Sequence, residues 1–231
     1  MNQDSSKALS RSALHFFTGT LLSRASGLVR DIAMAFSFGS HPAIASFMVS
    51  YRFSNLMRRL FGEGTLSSGF VPPFEVRRAD SQKKAALFFR DVFASLTIWL
   101  VLLILLLEGG LFLVMQGIGF SPIIFFTMLM LPGVLFICLF GLGNAFLQCE
   151  KKFFLSGVSP IAFNLVWISA VLMIKNFPIE EAVTLLSFAI VGAFFFQWMT
   201  TLPMSFRFLR AVVVERNFFY CSLFKRSARS L

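Results

Sequence analysis

Apolar residues fill this chain in runs longer than a soluble core helix needs, and polar positions return in clusters between them. Crossing the hydrocarbon of a bilayer takes about 20 consecutive apolar residues in a helix. The runs therefore predict six spans, near residues 13–38, 43–68, 86–115, 122–147, 156–175 and 182–209. The expected fold class is an all-α integral membrane protein whose six transmembrane helices form one bundle. Residues 1–12 are expected to be a polar cytoplasmic lead-in, and residues 210–231 a basic cytoplasmic tail, too short and too charged for another span. Gly39-Ser40-His41-Pro42 reads as a stop after the first span. The second is expected to end before Pro72-Pro73, leaving residues 75–84 as a charged loop. Pro132 falls inside the fourth span and predicts a kink, because proline removes a helical hydrogen bond. Gly141 and Gly143, further along, predict close approach of a neighbouring helix.

Four arginines break the pattern. Arg24 and Arg30 interrupt the first apolar stretch, and Arg52 and Arg58 the second. Such a residue at the centre of a bilayer costs roughly 2.5–3.5 kcal/mol on insertion scales, so it persists where it faces a wet cavity or a partner. Six residues of helix turn each pair about 120° apart. That separation exceeds one helix face but suits the concave wall of a wide cavity. Asp31 is spaced to hold an arginine in the empty site, while Ser23, Ser26 and Gly27 keep the first helix narrow there. Guanidinium stays charged and donates in a planar fork, so the natural ligand is a phosphate or diphosphate. Arg59 reads instead as a residue that snorkels to the cytoplasmic end of the second helix.

Composition sharpens the class. The 231 residues are 57% hydrophobic and 14% charged, with 32 Phe and a mean hydropathy of +0.77, against roughly 25% charged in soluble domains. The net charge of +10 does not point to nucleic acid, since the cations are dispersed between spans instead of forming one basic face. They alternate in a manner that orients a membrane protein. Lys7 and Arg11 precede the first span, five Lys or Arg lie between the second and third, and Lys151 and Lys152 lie between the fourth and fifth. The alternate connections carry almost nothing basic, so the positive-inside rule puts both termini in the cytoplasm. An even number of spans requires the same.

No catalytic constellation emerges. His15 and His41 sit in different settings, no H-E-x-x-H or Gly-rich phosphate loop occurs, and no cofactor or metal site is expected. Cys138, Cys149 and Cys221 are scattered, odd in number and read as structural. The apolar stretch that opens the chain is too long and too arginine-marked for a cleavable signal core.

The residues around the arginines carry a resemblance. LLSRASGLVRDIAMAFSFG (residues 21–39) and FSNLMRRLFGEGTLSSGFVPPF (residues 53–74) closely resemble the amino-terminal signature of the MurJ/MviN lipid II flippases, within the MOP exporter superfamily. GLGNAFLQCEKKFFLSGVSPIAFNLVWI (residues 141–168) is similar to the same family's junction of fourth and fifth helices. The resemblance implies one lobe of a two-lobe, MOP-type transporter in the cell inner (cytoplasmic) membrane. Such a transporter moves lipid II, the polyprenyl-diphosphate-linked peptidoglycan precursor, to the outer leaflet through a central cationic cavity. It implies cavity or gate positions at Ser23, Arg24, Arg30, Asp31, Asn55 and Arg58, with Arg52 a secondary member and Glu63 a turn or functional carboxylate. The implied partners are lipid II, membrane lipids and a second lobe of six to eight helices, with no nucleic acid.

Two departures stand out. Where the family commonly has an aspartate early in the second helix, this chain reads Ile44-Ala45-Ser46-Phe47. The resemblance also covers only an amino-terminal lobe, whereas alternating access needs a second lobe to rock against. The alternatives are a truncated, non-transporting remnant or scaffold, and an exporter of another lipid-linked saccharide.

Overall fold

The computed structural model describes residues 3–57 and 65–210, and every regular element in them is helical. In chain order these are α1 (Gln3–Phe38), α2 (Pro42–Met57), α3 (Thr65–Asp80), α4 (Gln82–Ile118), α5 (Pro122–Met130), α6 (Gly133–Cys149), α7 (Phe153–Ile174) and α8 (Ile179–Met199). Residues 202–210 are helical again beyond a break at Thr200-Thr201. Helices dominate because a chain in hydrocarbon must satisfy its own backbone donors and acceptors. Three of them, α4, α7 and α8, are long and apolar enough to cross a membrane, and α5 with α6 makes a fourth, bent span. The described residues include 16 of α2, up to Met57, and the 36 residues of α1 are diluted by Arg24, Arg30, Asp31 and many hydroxyls.

Proline acts in two ways here. At Leu131-Pro132 the chain bends by 41° between α5 and α6, the kink expected where proline offers no N–H. At Pro72-Pro73 the expected stop does not occur: α3 runs through both residues to Asp80, and only Ser81 separates it from α4. The stretch expected as a charged loop is therefore helical. Phe70 and Phe74, on either side of the prolines, are 3% and 0% exposed and anchor both halves in an aromatic cluster with Phe89 and Phe146. The charges of that stretch are used as fasteners. Arg78 donates to the Cys149 carbonyl at 3.1 Å and pairs with Glu150 at 3.1 Å, tying α3 to the turn between α6 and α7. Arg77 stacks over Phe88 at 4.1 Å and its Nη1 donates to the Pro73 carbonyl one turn back. Ser81 then starts α4 by accepting a bond from the Lys83 amide.

α6 is the centre of the bundle. Ile137, Cys138, Leu142, Ala145, Phe146 and Leu147 are all essentially inaccessible. α8 and α7 pack along one side of it, α3 and α4 along the other. Apolar burial gives little net drive inside lipid, so close packing has to hold helices together. Gly133 and Gly143 provide it: a Cβ at Gly133 would stand 2.8 Å from the Phe194 ring, and one at Gly143 2.8 Å from Thr201 Cβ and closer still to its hydroxyl. α1 lies along α7, and α2 leans on α5 and α8. Gly19 sets the first of these contacts, since a Cβ there would meet the Phe154 carbonyl and the Gly157 backbone at 3.2–3.3 Å. α1 and α2 thus flank a cleft floored by α7 and α8.

Gly143→Ala is expected to force α6 and α8 apart and lower stability by about 1–3 kcal/mol. Gly192→Ala, where a Cβ meets nothing within 4 Å, is expected to be neutral or slightly stabilising. Thermal unfolding in one detergent, with both variants side by side, measures the difference.

Candidate functional site

The cleft contains a cavity of about 660 Å³. α1 contributes Ser23, Arg24, Gly27 and Arg30; α2 contributes Tyr51, Arg52, Asn55 and Leu56; α7 contributes Pro160, Phe163 and Asn164; and α8 contributes Phe194 and Gln197. Five of the sequence-derived positions, Ser23, Arg24, Arg30, Arg52 and Asn55, are therefore brought to one hollow. Asp31 is not in its lining but adjoins it through Arg30. Arg58 and Glu63 lie outside the described residues.

The three lining arginines differ in how they are held. Arg30 is fixed from several directions. Its Nε and Nη2 donate to Asp31 Oδ1 at 2.9 and 2.7 Å, and its Nη1 donates to Asn164 Oδ1 at 3.2 Å. Its guanidinium lies 4.7 Å from the centre of the Trp167 ring and 5.9 Å from that of Phe163. Contacts of this kind contribute roughly 0.5–2 kcal/mol each, more as water is excluded. Its side chain is 18% exposed, against 65% for that of Asp31. Arg24 and Arg52 are exposed to the cleft and make no ion pair among the described residues. No carboxylate lines the cavity among those residues either. The hollow is thus a concentration of positive charge with a single acidic neighbour, the arrangement that focuses an anion.

Beneath the arginines the wall is aromatic. Tyr51 and Phe47 of α2 meet Trp167 edge to face, with ring centres 4.6 and 6.3 Å away, and Phe163 stacks on Phe194 at 4.8 Å. These contacts link α2, α7 and α8 and keep the cavity floor rigid. Pro160 has no amide to give the Ser156 carbonyl, which loosens the α7 backbone where it borders the cavity. Gly27 leaves room for Asn164, whose Nδ2 would sit 3.7 Å from a Cβ added there.

Sequence reasoning did not single out Tyr51, Phe163, Asn164, Phe194 or Gln197 as site residues. Two of them had a readable signal. Asn164 and Gln197 are lone amides inside otherwise apolar helices, 4% and 3% exposed, and a polar residue at membrane depth faces a partner or a cavity. The aromatic positions had none, because 32 phenylalanines in one chain make any particular one uninformative.

Known proteins are similar to this chain in sequence and in fold. The family model described as lipid II flippase MurJ matches residues 34–225. The probable lipid II flippase MurJ of Chlamydia pneumoniae is 35% identical over 209 residues, covering 90% of this chain and 38% of its own length. That of Chlamydia trachomatis is 32% identical over 212 residues, covering 90% and 39%. The lipid II flippase MurJ of Burkholderia cenocepacia is 28% identical over 194 residues, covering 80% and 37%. The chain thus spans under two-fifths of the length of these curated relatives. A solved structure, lipid II flippase MurJ in an inward closed conformation, superposes with a TM-score of 0.67 at 20% identity, over 85% of this chain and 46% of that one. That likeness is one of fold. On the extent of the family match and the identity to its Chlamydia relatives, this chain belongs to the MurJ family.

Proposed function

We propose that this chain forms the cationic amino-terminal lobe of a transporter that carries lipid II across the cytoplasmic membrane. The observation that carries the reading is the convergence of Arg24, Arg30 and Arg52 on one cavity with no carboxylate in its lining among the described residues. Arginine forks match the oxygens of a diphosphate in shape and charge. In this reading they hold that group while the sugar-peptide head occupies the wet space and the polyprenyl tail stays in lipid. Membership of the MurJ family supports the choice of lipid II over other phosphorylated lipids.

No bond is made or broken, so the protein acts as a transporter and not as an enzyme. Movement is a shift between two packings of this lobe against a second one. Ligand cavities run to roughly 300–1,000 Å³, and the hollow here is about 660 Å³, enough for a diphosphate and its nearest sugar. The remainder of the head would occupy space bounded by the second lobe, which relatives more than twice as long have the length to encode. Both termini are assigned to the cytoplasm on the distribution of lysine and arginine between spans.

Arg24→Ala and Arg30→Ala are each expected to weaken lipid II binding about 10- to 100-fold, since a hydrogen bond to a charged group contributes roughly 1.5–3 kcal/mol. Arg90→Ala, which removes an exposed pair with Asp91, leaves it unchanged. Lipid II retention measured by native mass spectrometry decides; unchanged binding in both cavity variants, with loss of transport of a different glycolipid, would favour an exporter of another lipid-linked saccharide.

Water access gives a second check. In a chain whose native cysteines are replaced by serine, Ser23→Cys and Asn55→Cys are expected to react with a membrane-impermeant thiol reagent at least about tenfold faster than Leu105→Cys. Leu105 is on the outer face of α4, in the lipid-facing class of position that excludes water. Equal, slow labelling of all three would mean the cavity is dry.

A further inference from the structure

Asn164 stands at the junction of α7 with α1, and all of its amide hydrogen bonds run to α1. Its Nδ2 donates to Ser26 Oγ at 2.7 Å and to the Ser23 carbonyl at 3.2 Å. Ser26 Oγ in turn donates to the same Ser23 carbonyl at 2.8 Å. Both acceptors need a donor opposite them, so the NH₂ end of the amide is fixed towards α1 and the oxygen is fixed towards Arg30, whose Nη1 it receives at 3.2 Å. Turning the amide over would set an NH₂ against a guanidinium and a carbonyl against a carbonyl. The residue is 4% exposed and sits at the edge of the cavity.

The consequence falls on Arg30. Asp31 takes its Nε and one N–H of Nη2, and Asn164 takes one N–H of Nη1. Of the five N–H groups on a guanidinium, one on Nη1 and one on Nη2 have no acceptor among the described residues. With Trp167 beneath the plane at 4.7 Å, the guanidinium is held in position while a donor on each terminal nitrogen stays available. A neutral acceptor does this without cancelling the charge, which a second carboxylate would do.

We infer that Asn164 is the positioning residue for anion capture: it orients Arg30 so that the remaining N–H on Nη1 and that on Nη2 donate to phosphate oxygens, and it does so while keeping the site cationic. This rests on the reading of the cavity as a diphosphate site. It adds a distinction between Asn164→Ala, which frees the guanidinium, and Asn164→Asp, which keeps an acceptor for Arg30 but adds a negative charge and removes the donor that faces α1.

The test uses the full chain in lipid nanodiscs, with Trp99→Phe and Trp198→Phe leaving Trp167 as the single fluorophore, titrated with a polyprenyl diphosphate and, in parallel, with inorganic pyrophosphate. The two ligands separate recognition of the phosphates from recognition of the lipid. Asn164→Ala is expected to weaken binding about tenfold and to change Trp167 emission in the unliganded protein, as Arg30→Ala does, because the cation leaves the ring. Asn164→Asp is expected to keep the unliganded emission of the parent and lose binding more completely than Asn164→Ala. Should either Asn164 variant fail to fold, Ser26→Ala, which removes only a bond that turns the amide, is expected to weaken binding a few-fold. Parent-like binding by the folded Asn164 variants, or by Ser26→Ala if it stands in for them, with binding lost in Arg30→Ala, would overturn the positioning role. Parent-like binding in Arg30→Ala and Arg24→Ala would instead remove the diphosphate reading underneath it.

Discussion

Holding a guanidinium within a bundle of apolar helices is the constraint on which the rest of this architecture turns. Arg30 loses most of its contact with water, and an uncompensated charge in that position would cost several kcal/mol. Asp31, Asn164 and the Trp167 face compensate it from different directions. Each of those partners is committed elsewhere as well. Asn164 belongs to α7 and is tethered to α1, while Trp167 meets Phe47 and Tyr51 of α2. Arg30 is therefore linked to α7 directly and to α2 only through the Trp167 ring.

The other half of the lobe is organised by contact and not by charge. α6 is buried almost throughout; Gly133 admits Phe194 of α8, and Gly143 admits Thr201 just beyond the end of that helix. The aromatic cluster of Phe70, Phe74, Phe89 and Phe146 fixes α3 and α4 against the same helix. The polar fasteners sit at the perimeter, where Arg78 meets Glu150 and the end of α6. A tightly packed half therefore lies beside a half that encloses a cationic cavity. This division of labour suits a lobe that moves as a unit while its ligand-facing groups adjust.

The sequence revealed the chemistry of this lobe more readily than its joints. Arginines in apolar runs are conspicuous because their cost in lipid demands a reason, and a helical class follows from the length of the runs. Pro132 was legible as a bend because it stands alone in an apolar stretch, and the 41° break is where it points. Pro72-Pro73 misled for a physical reason: tandem prolines weaken a helix locally, but Phe70 and Phe74 restore it through contacts with residues distant in the chain. The same limit hid Asn164. Its polarity was visible, but its role depends on the register of α7 against α1, where Gly19 permits close approach and which no local pattern encodes.

Charge balance carries the last step. Asp31 is mostly exposed and shares a single oxygen, Oδ1, with Arg30, so its other carboxylate oxygen makes no bond to that arginine. Arg24 and Arg52, a helix apart, have no acidic partner among the described residues. An anion entering the cleft therefore meets two cations that have little to give up, and a third already held in place. Tight capture would be the outcome of such a site if nothing opposed it, and a carrier that cannot let go does not transport. In the proposed transport cycle, release follows from a change in the distance between α1 and α2, the two helices that carry the lining arginines. With Arg24 and Arg30 on α1 and Arg52 on α2, the proposed affinity for an anion depends on the spacing of those two helices.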